Sequence, residues 1–244
     1  LINKKIIVFI VLLAGMATGG LFGAFFAFTR DLPQIQTLET FRPKAVTRIY
    51  STDNQLLAEL YLEKRDPVPL DSIPSYLKAA LIATEDRKFY THSGLDLKGI
   101  ARALIKDILA GEFVEGASTI TQQLAKTLFL TSRKTMVRKI KEAILAFQLE
   151  RRYTKDEILE LYLNQVYFGS GAYGVKSAAE IFFNKSVGAL NLAECALIAG
   201  MPKSPSRYSP LINEDLALKR RNIVLRQMRT AGIINAKDYN QAVA

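Results

Sequence analysis

Residues 119–165, TITQQLAKTLFLTSRKTMVRKIKEAILAFQLERRYTKDEILELYLNQ, decide the fold class. Thr119 with Gln122, and Thr154 with Glu157, have capping-box spacing: a hydroxyl accepts from the third backbone N–H of a helix while the third side chain reaches back. Between these two starts, Val137, Ile140, Ile144 and Phe147 recur at helical spacing as an apolar face, which puts Glu142 on the opposite side with Arg138 one turn earlier. Working outward, Asn191 with Glu194 repeats the start signal, Ser72 and Pro74 open a helix running towards Arg87, and an amphipathic helix from Leu97 to Ala110 stops at Gly111. The last clear helix runs from about Asp215 to Thr230 and ends near Gly232. Only residues 46–62, VTRIYSTDNQLLAELYL, read as strand, two runs around Asp53 and Asn54 that form a hairpin. That is too little strand for a βαβ architecture, so the expected fold is mainly α with a small β-hairpin.

Upstream, residues 6–28 are an uncharged run that as a helix spans ~35 Å, enough for a bilayer core. The run is too long for the apolar region of a cleaved signal peptide, so a retained transmembrane helix is expected. Lys4 and Lys5 precede it, and Arg30 balanced by Asp31 follows, which places the N-terminus in the cytoplasm and the rest outside. Residues 1–5 are then a cytoplasmic tail, 29–45 with Pro33 and Pro43 a juxtamembrane linker, and 46–244 the outer domain. Gly15, Gly19 and Gly23 form a small-residue stripe that suits a homodimer contact and equally an ordinary membrane helix.

The chain has 244 residues and a formal charge of +10, with 49% hydrophobic and 23% charged side chains, which excludes a disordered or collagen-like chain. A single cysteine, Cys195, excludes a disulfide scaffold or a Cys-rich zinc site, and a single histidine, His92, excludes HExxH chemistry. Reaction chemistry must therefore come from carboxylates, cations or hydroxyls. Cys195 sits in an apolar helix and is expected in the core; His92 alone is a structural hydrogen-bonder. Gly169, Gly171 and Gly174 spell GxGxxG, but the preceding segment is helical, so a glycine-rich helix-to-helix loop is expected and no organic cofactor. Most of the positive charge is local: residues 126–155 carry Lys126, Arg133, Lys134, Arg138, Lys139, Lys141, Arg151, Arg152 and Lys155 against Glu142 and Glu150. An exported domain does not meet nucleic acid, so the partners of this segment are anionic head groups or a phosphorylated substrate, or it is simply a solvated face.

Two carboxylates stand out. Leu77, Ala80, Leu81 and Thr84 share a helix face, Glu85 falls at its border and Asp86 points nearly away. A border carboxylate is partly desolvated, a setting in which it can act as a general base. Glu142 sits among cations, which oppose the proton donation a glycoside hydrolase needs but suit departure of a diphosphate, whose charge they meet without an acid. Helix-end or i,i+4 ion pairs explain both glutamates equally well from spacing alone.

The motifs add what spacing cannot. Residues 85–94, EDRKFYTHSG, resemble the EDxxFxxHxG motif of the peptidoglycan glycosyltransferase family, found in class A penicillin-binding proteins and monofunctional transglycosylases. Residues 116–126, GASTITQQLAK, are similar to its GxSTITQQLxK motif; 138–142, RKIKE, to RKxxE; 158–164, ILELYLN, follow; and 199–206, AGMPKSPS, resemble its AGLPKAPS stretch. The resemblance implies a lysozyme-like, mostly α glycosyltransferase domain that polymerises the lipid-linked precursor lipid II on the outer face of the bacterial cytoplasmic membrane. In that family Glu85 deprotonates the acceptor 4-hydroxyl, which attacks C1 of the donor MurNAc with inversion, and undecaprenyl diphosphate leaves. Glu142 is the second catalytic position, ordering the cations or the donor. Lys126, Lys134, Arg138 and Lys139 hold the diphosphate; Ser118, Thr119, Gln122 and Gln123 line the cleft; Asp86, Phe89, His92 and Asn164 complete the substrate-binding set. A divalent cation, magnesium or manganese, often binds with the diphosphate, and nothing in the sequence specifies protein ligands for it. Lys134 stands where arginine is common, keeping the charge and losing the bidentate fork. No transpeptidase set of SxxK, SxN and KTG is present, and Ile233–Ala244 resembles the region that continues into a transpeptidase domain in bifunctional members. The competing readings are a hydrolase or lytic transglycosylase on a related fold, and a silent anchor that binds the precursor.

Overall fold

The computed structural model describes residues 4–30, 32, 47–60, 66–111, 118–131, 133 and 135–244; within them, the side chains of Ile7, Ile10, Ala14, Ala17, Leu21, 24–29, 47–49, 56–60, Leu104 and Asp107 fall outside the description. Lys134, Gly116, Ala117 and nearly all of the 29–45 linker lie outside the described residues.

The first helix, α1, runs Lys4–Arg30. Among the described residues no helix is long and apolar enough to cross a membrane. A bilayer-spanning role for 6–28 therefore rests on sequence. Strands β1 (Thr47–Tyr50) and β2 (Leu56–Leu60) pair antiparallel, Thr47 opposite Leu60, around a turn in which Asn54 takes a positive φ of 64°. This is the hairpin expected around Asp53 and Asn54.

The rest is helical: α2 (Ser75–Glu85), α3 (Leu97–Ala110), α4 (Ile120–Phe129), α5 (Met136–Glu150) and α6 (Lys155–Gln165). After a short hairpin come α7 (Gly174–Phe183), α8 (Leu192–Gly200), α9 (Pro205–Tyr208), α10 (Glu214–Thr230) and α11 (Ala236–Val243). All three capping boxes read from the sequence, at Thr119, Thr154 and Asn191, are formed reciprocally, and Gly111 ends α3 in the left-handed conformation. The helix α11 lies in the stretch from Ile233 to Ala244, which reads as helical from the sequence as well.

Two helical groups meet at the site. In one, α8, whose Cys195–Gly200 are all buried, packs against α2 and α10; in the other, α4 packs on α5 and α6. One continuous apolar cluster joins them, from Leu77 and Leu81 through Leu124, Leu145, Leu149 and Tyr162 to Val224 and Met228. Burying it is the main driving force for the fold.

Three expectations are corrected. The buried face of α5 is Glu142, Leu145, Ala146 and Leu149, while Val137, Ile140 and Phe147 are 45%, 39% and 49% exposed. Both stripes have helical period; the chain buries the one that brings Leu145, Ala146 and Leu149 into the core beside α4, and Arg138 and Lys139 neutralise the carboxylate at its head. Asp86 is buried, since the chain leaves the helix there with φ −159° and swings the side chain inward. The GxGxxG glycines form a second hairpin rather than a helix-to-helix loop: β3 (Tyr167–Gly169) pairs with β4 (Ala172–Tyr173) across Ser170 and Gly171, with φ of 50° and 82°. Positive φ at both turn residues matches the twist of a two-residue hairpin.

Candidate active site

The sequence 86–94 builds the floor. Phe89 is fully buried, edge-on to Tyr90 and His92, with the Lys155 ammonium 4.6 Å from its ring centroid. Asp86 Oδ2 accepts from the backbone N–H of Ile120 at 3.0 Å and bonds His92 Nε2 at 2.9 Å. His92 Nδ1 accepts from Gly94 N–H at 3.1 Å, so Nε2 carries the proton and donates to Asp86. Gly94, at φ 93°, lies so close to α5 that an added Cβ would sit 3.0 Å from the Ala146 carbonyl, and its own carbonyl accepts from Thr119 Oγ1 at 2.7 Å. This loop thereby ties the end of α2, the start of α4 and the middle of α5 together.

On that floor Glu85 Oε2 accepts from Gln123 Nε2 at 2.9 Å, and Glu85 Oε1 faces Arg220 Nη2 at 3.6 Å. Arg220, from α10, is 6% exposed, donates Nε–H to the Gly200 carbonyl at 2.9 Å and lies 5.7 Å from the Tyr208 ring centroid. A guanidinium so placed offsets the cost of burying the Glu85 charge. Burial lowers the Arg220 pKa, opposed by the charge of Glu85.

Beside it stands the cationic group. Glu142, 3% exposed, accepts from Arg138 Nη1 at 2.6 Å and from Lys139 Nζ at 2.7 Å, and the same Nζ donates to Ser118 Oγ at 2.7 Å. Lys126 connects the halves. Although its side chain reaches solvent, desolvation holds its ammonium below the ordinary lysine range, Glu142 and Glu85 both oppose that, and Arg138 and Lys139 reinforce it. One lysine therefore senses both carboxylates.

The expected residues divide by what they touch. Glu85, Gln123, Lys126, Ser118, Arg138, Lys139 and Glu142 come together. Thr119 and Gln122, each 2% exposed, use their polar groups in the cap of α4 rather than along the cleft. Phe89, Asp86 and His92 hold the floor, and Asn164 clamps Val68, accepting from its N–H and donating to its carbonyl at 2.9 Å each. Arg220 was missed by sequence reasoning: its partner lies far away in the chain, and the only signal is an arginine among the apolar positions of α10. Cys195 is core as expected, its thiol pushed up to about 12 by burial. Among the described residues no cluster of three His, Cys, Asp or Glu side chains could hold a metal ion, and both oxygens of Glu142 are taken by cations.

A mainly helical domain that sets Glu85 nearly out of solvent near the cations around Glu142 holds the groups that proton abstraction and stabilisation of an anion require. Comparison with known proteins narrows the class. The transglycosylase family model matches residues 53–229, and the chain belongs to that family: its domain is a glycosyltransferase. It is 47% identical over 214 residues to penicillin-binding protein 1A of Aquifex aeolicus (strain VF5), covering 88% of this chain and 30% of that protein. To penicillin-binding protein 1A of Escherichia coli (strain K12) it is 46% identical over 226 residues, covering 93% and 27%. To penicillin-binding protein 1F of Bacillus subtilis (strain 168) it is 49% identical over 194 residues, covering 80% and 27%. A solved structure of penicillin-binding protein 1A from Haemophilus influenzae is 26% identical, with a TM-score of 0.48 over 83% of this chain and 21% of that one. The chain spans under a third of the length of the curated relatives it matches.

Proposed function

We propose that this domain polymerises lipid II into β-1,4-linked glycan strands, with the growing strand as donor and inversion at MurNAc C1. The observation that supports the reading is geometric: α4 carries Gln123, bonded to Glu85, one turn before Lys126, and packs on α5, where Arg138 and Lys139 bind Glu142 and Lys139 reaches Ser118 at the head of α4. Glu85, held by Gln123 and facing Arg220, takes the proton of the acceptor 4-hydroxyl. The freed oxygen pair bonds C1 as the C1–O bond to the diphosphate breaks, and undecaprenyl diphosphate leaves with that electron pair. Lys126, Arg138 and Lys139 meet its charge, with Lys134 as a further cation. Glu142, saturated by two cations, orders them instead of donating a proton, which favours transfer over hydrolytic cutting of glycan.

The membrane completes the reading. Residues 6–28 anchor the chain in the bacterial cytoplasmic membrane, N-terminus inside and domain outside, and open space around Gly15, Gly19 and Gly23 leaves room for a second helix. On α3, Leu97, Ile105 and Ile108 are 71%, 58% and 70% exposed beside Lys98, Arg102 and Lys106, which favours the head-group layer over core packing for that face. A magnesium or manganese ion would be carried in by the substrate diphosphate, and no step above runs through one.

Lipid II consumption and product length, compared for the wild type and Glu85→Gln in detergent, test the reading. Long glycan from the wild type and none from the folded variant is expected. Shortened peptidoglycan with lipid II untouched would mean a cutting enzyme, and no turnover by either protein a silent anchor.

A further inference from the structure

The hydroxyl of Tyr162 is part of no motif role. Its ring belongs to the core of α6 and the residue is 1% exposed, so phenylalanine would pack as well, and a buried hydroxyl costs stability unless it is bonded. It donates to Gln123 Oε1 at 3.0 Å, and the other edge of that amide donates Nε2–H to Glu85 Oε2 at 2.9 Å.

We propose that Tyr162 is a positioning residue for glycosyl transfer: its hydroxyl fixes the flip of the Gln123 amide, and the amide in turn fixes the carboxylate of Glu85. The inference rests on the polymerase reading given above. A glutamine amide has two edges of similar shape and opposite polarity. Turned the other way, Gln123 sets a carbonyl oxygen against a carboxylate oxygen, a repulsive contact that pushes Glu85 out of line with the acceptor hydroxyl. The phenol disfavours that state, because its buried O–H would then lose its acceptor and face an N–H₂ group instead. Burial, and then the charge of Glu85, hold the Tyr162 phenol well above its ordinary range, so it stays a donor throughout the working pH of the enzyme. Gln123 thus links the two helical groups, its partners being Glu85 at the end of α2 and Tyr162 within α6. The arrangement is a fixed polar chain, in which each donor has one acceptor and the last acceptor is the base.

The full chain carrying Tyr162→Phe tests this. It should melt close to the wild type, lose about tenfold in kcat, or about 1.4 kcal/mol in barrier, and keep KM within about twofold, since ground-state binding is untouched. In a Gln123→Leu background, where no amide is left to orient, Tyr162→Phe should cost nothing further. An unchanged kcat in the single variant, or an equal second loss in the double one, overturns the proposal. A second measurement does not need substrate: the nitrogen-labelled side-chain amide of Gln123, assigned by its loss in Gln123→Leu, should shift and exchange faster in Tyr162→Phe. An unmoved amide signal overturns positioning even if the wild type proves inactive, whereas an inactive wild type with a responsive amide sinks the polymerase reading alone.

Discussion

Arg220 Nη2 lies 3.6 Å from Glu85 Oε1, and both side chains are nearly out of solvent, at 7% and 11% exposure. The arginine is held from behind by the Gly200 carbonyl and fills the space that any side chain at Gly200 would need, since an added Cβ there would meet Arg220 Cγ at 2.9 Å. Glycine at 200 and arginine at 220 are thus one device. Arg220→Ala should lose about 3 kcal/mol of stability, because it leaves a carboxylate buried without its cation and a carbonyl without its donor. Arg220→Lys should recover part of the melting temperature and little of the turnover, for an ammonium lacks the rigid fork that reaches Gly200 from Nε and Glu85 from Nη2. Thermal melts beside lipid II turnover separate the two effects; equal recovery of both would refute the double role.

Glu142→Gln keeps the shape and removes the charge that Arg138 and Lys139 share. The two cations then repel each other, and the single amide oxygen can accept from one of them while the N–H₂ group faces the other. We expect kcat to fall by about 10²-fold through misplacement of the cradle, with a much smaller change in KM. Initial rates over a range of lipid II concentrations decide this, and a pure KM effect would show that Glu142 serves binding alone.

Lys126 gives a pH signature. Its pKa is lowered by desolvation, so it loses its proton, and with it the charge that meets the diphosphate, at a lower pH than an ordinary lysine. The alkaline limb of kcat/KM against pH should accordingly begin below the usual lysine range. Lys126→Arg should move that limb upward, because a guanidinium stays charged throughout. A limb that does not move assigns the alkaline loss to another group.

Much of this was legible in the sequence where the determinant is local. Thr119 with Gln122, Thr154 with Glu157 and Asn191 with Glu194 announce helix starts because a cap needs nothing beyond four residues, and Gly111 announces an end for the same reason. The buried face of α5 was not legible, because periodicity supplies two stripes and the choice depends on which of them packs against α4, a neighbour that local spacing does not reveal. Asp86 could not be placed by helical projection, since the helix ends one residue earlier. Gly169, Gly171 and Gly174 marked a turn correctly but not that it joins two short strands. Arg220 and the hydroxyl of Tyr162 were invisible in their roles, as each acts on a partner from a distant element.

Gly94 is the position where a small change should do most harm. Its positive φ disfavours any side chain, and the atoms its Cβ would meet are backbone atoms of α5, which cannot turn aside. Gly94→Ala should cost about 2 kcal/mol and lower activity further, by shifting the hydrogen bond from Thr119 and with it the start of α4. A melt unchanged from wild type would show that the loop gives way and is no fixed floor.

The exposed apolar face of α3 offers the test of membrane docking. Ile100 and Ile105 are 38% and 58% exposed, so replacing both by serine removes little from the core and much from a surface suited to the head-group layer. In a shortened chain beginning at residue 46, which lacks the anchor, Ile100→Ser with Ile105→Ser should reduce flotation with anionic vesicles severalfold while the melting temperature holds. Unfolding of the double variant would mean that these side chains are core after all. Unchanged flotation would move the docking surface to the other outward stripe, Val137, Ile140 and Phe147 of α5, whose exposed side chains lie beside Arg138 and Lys141.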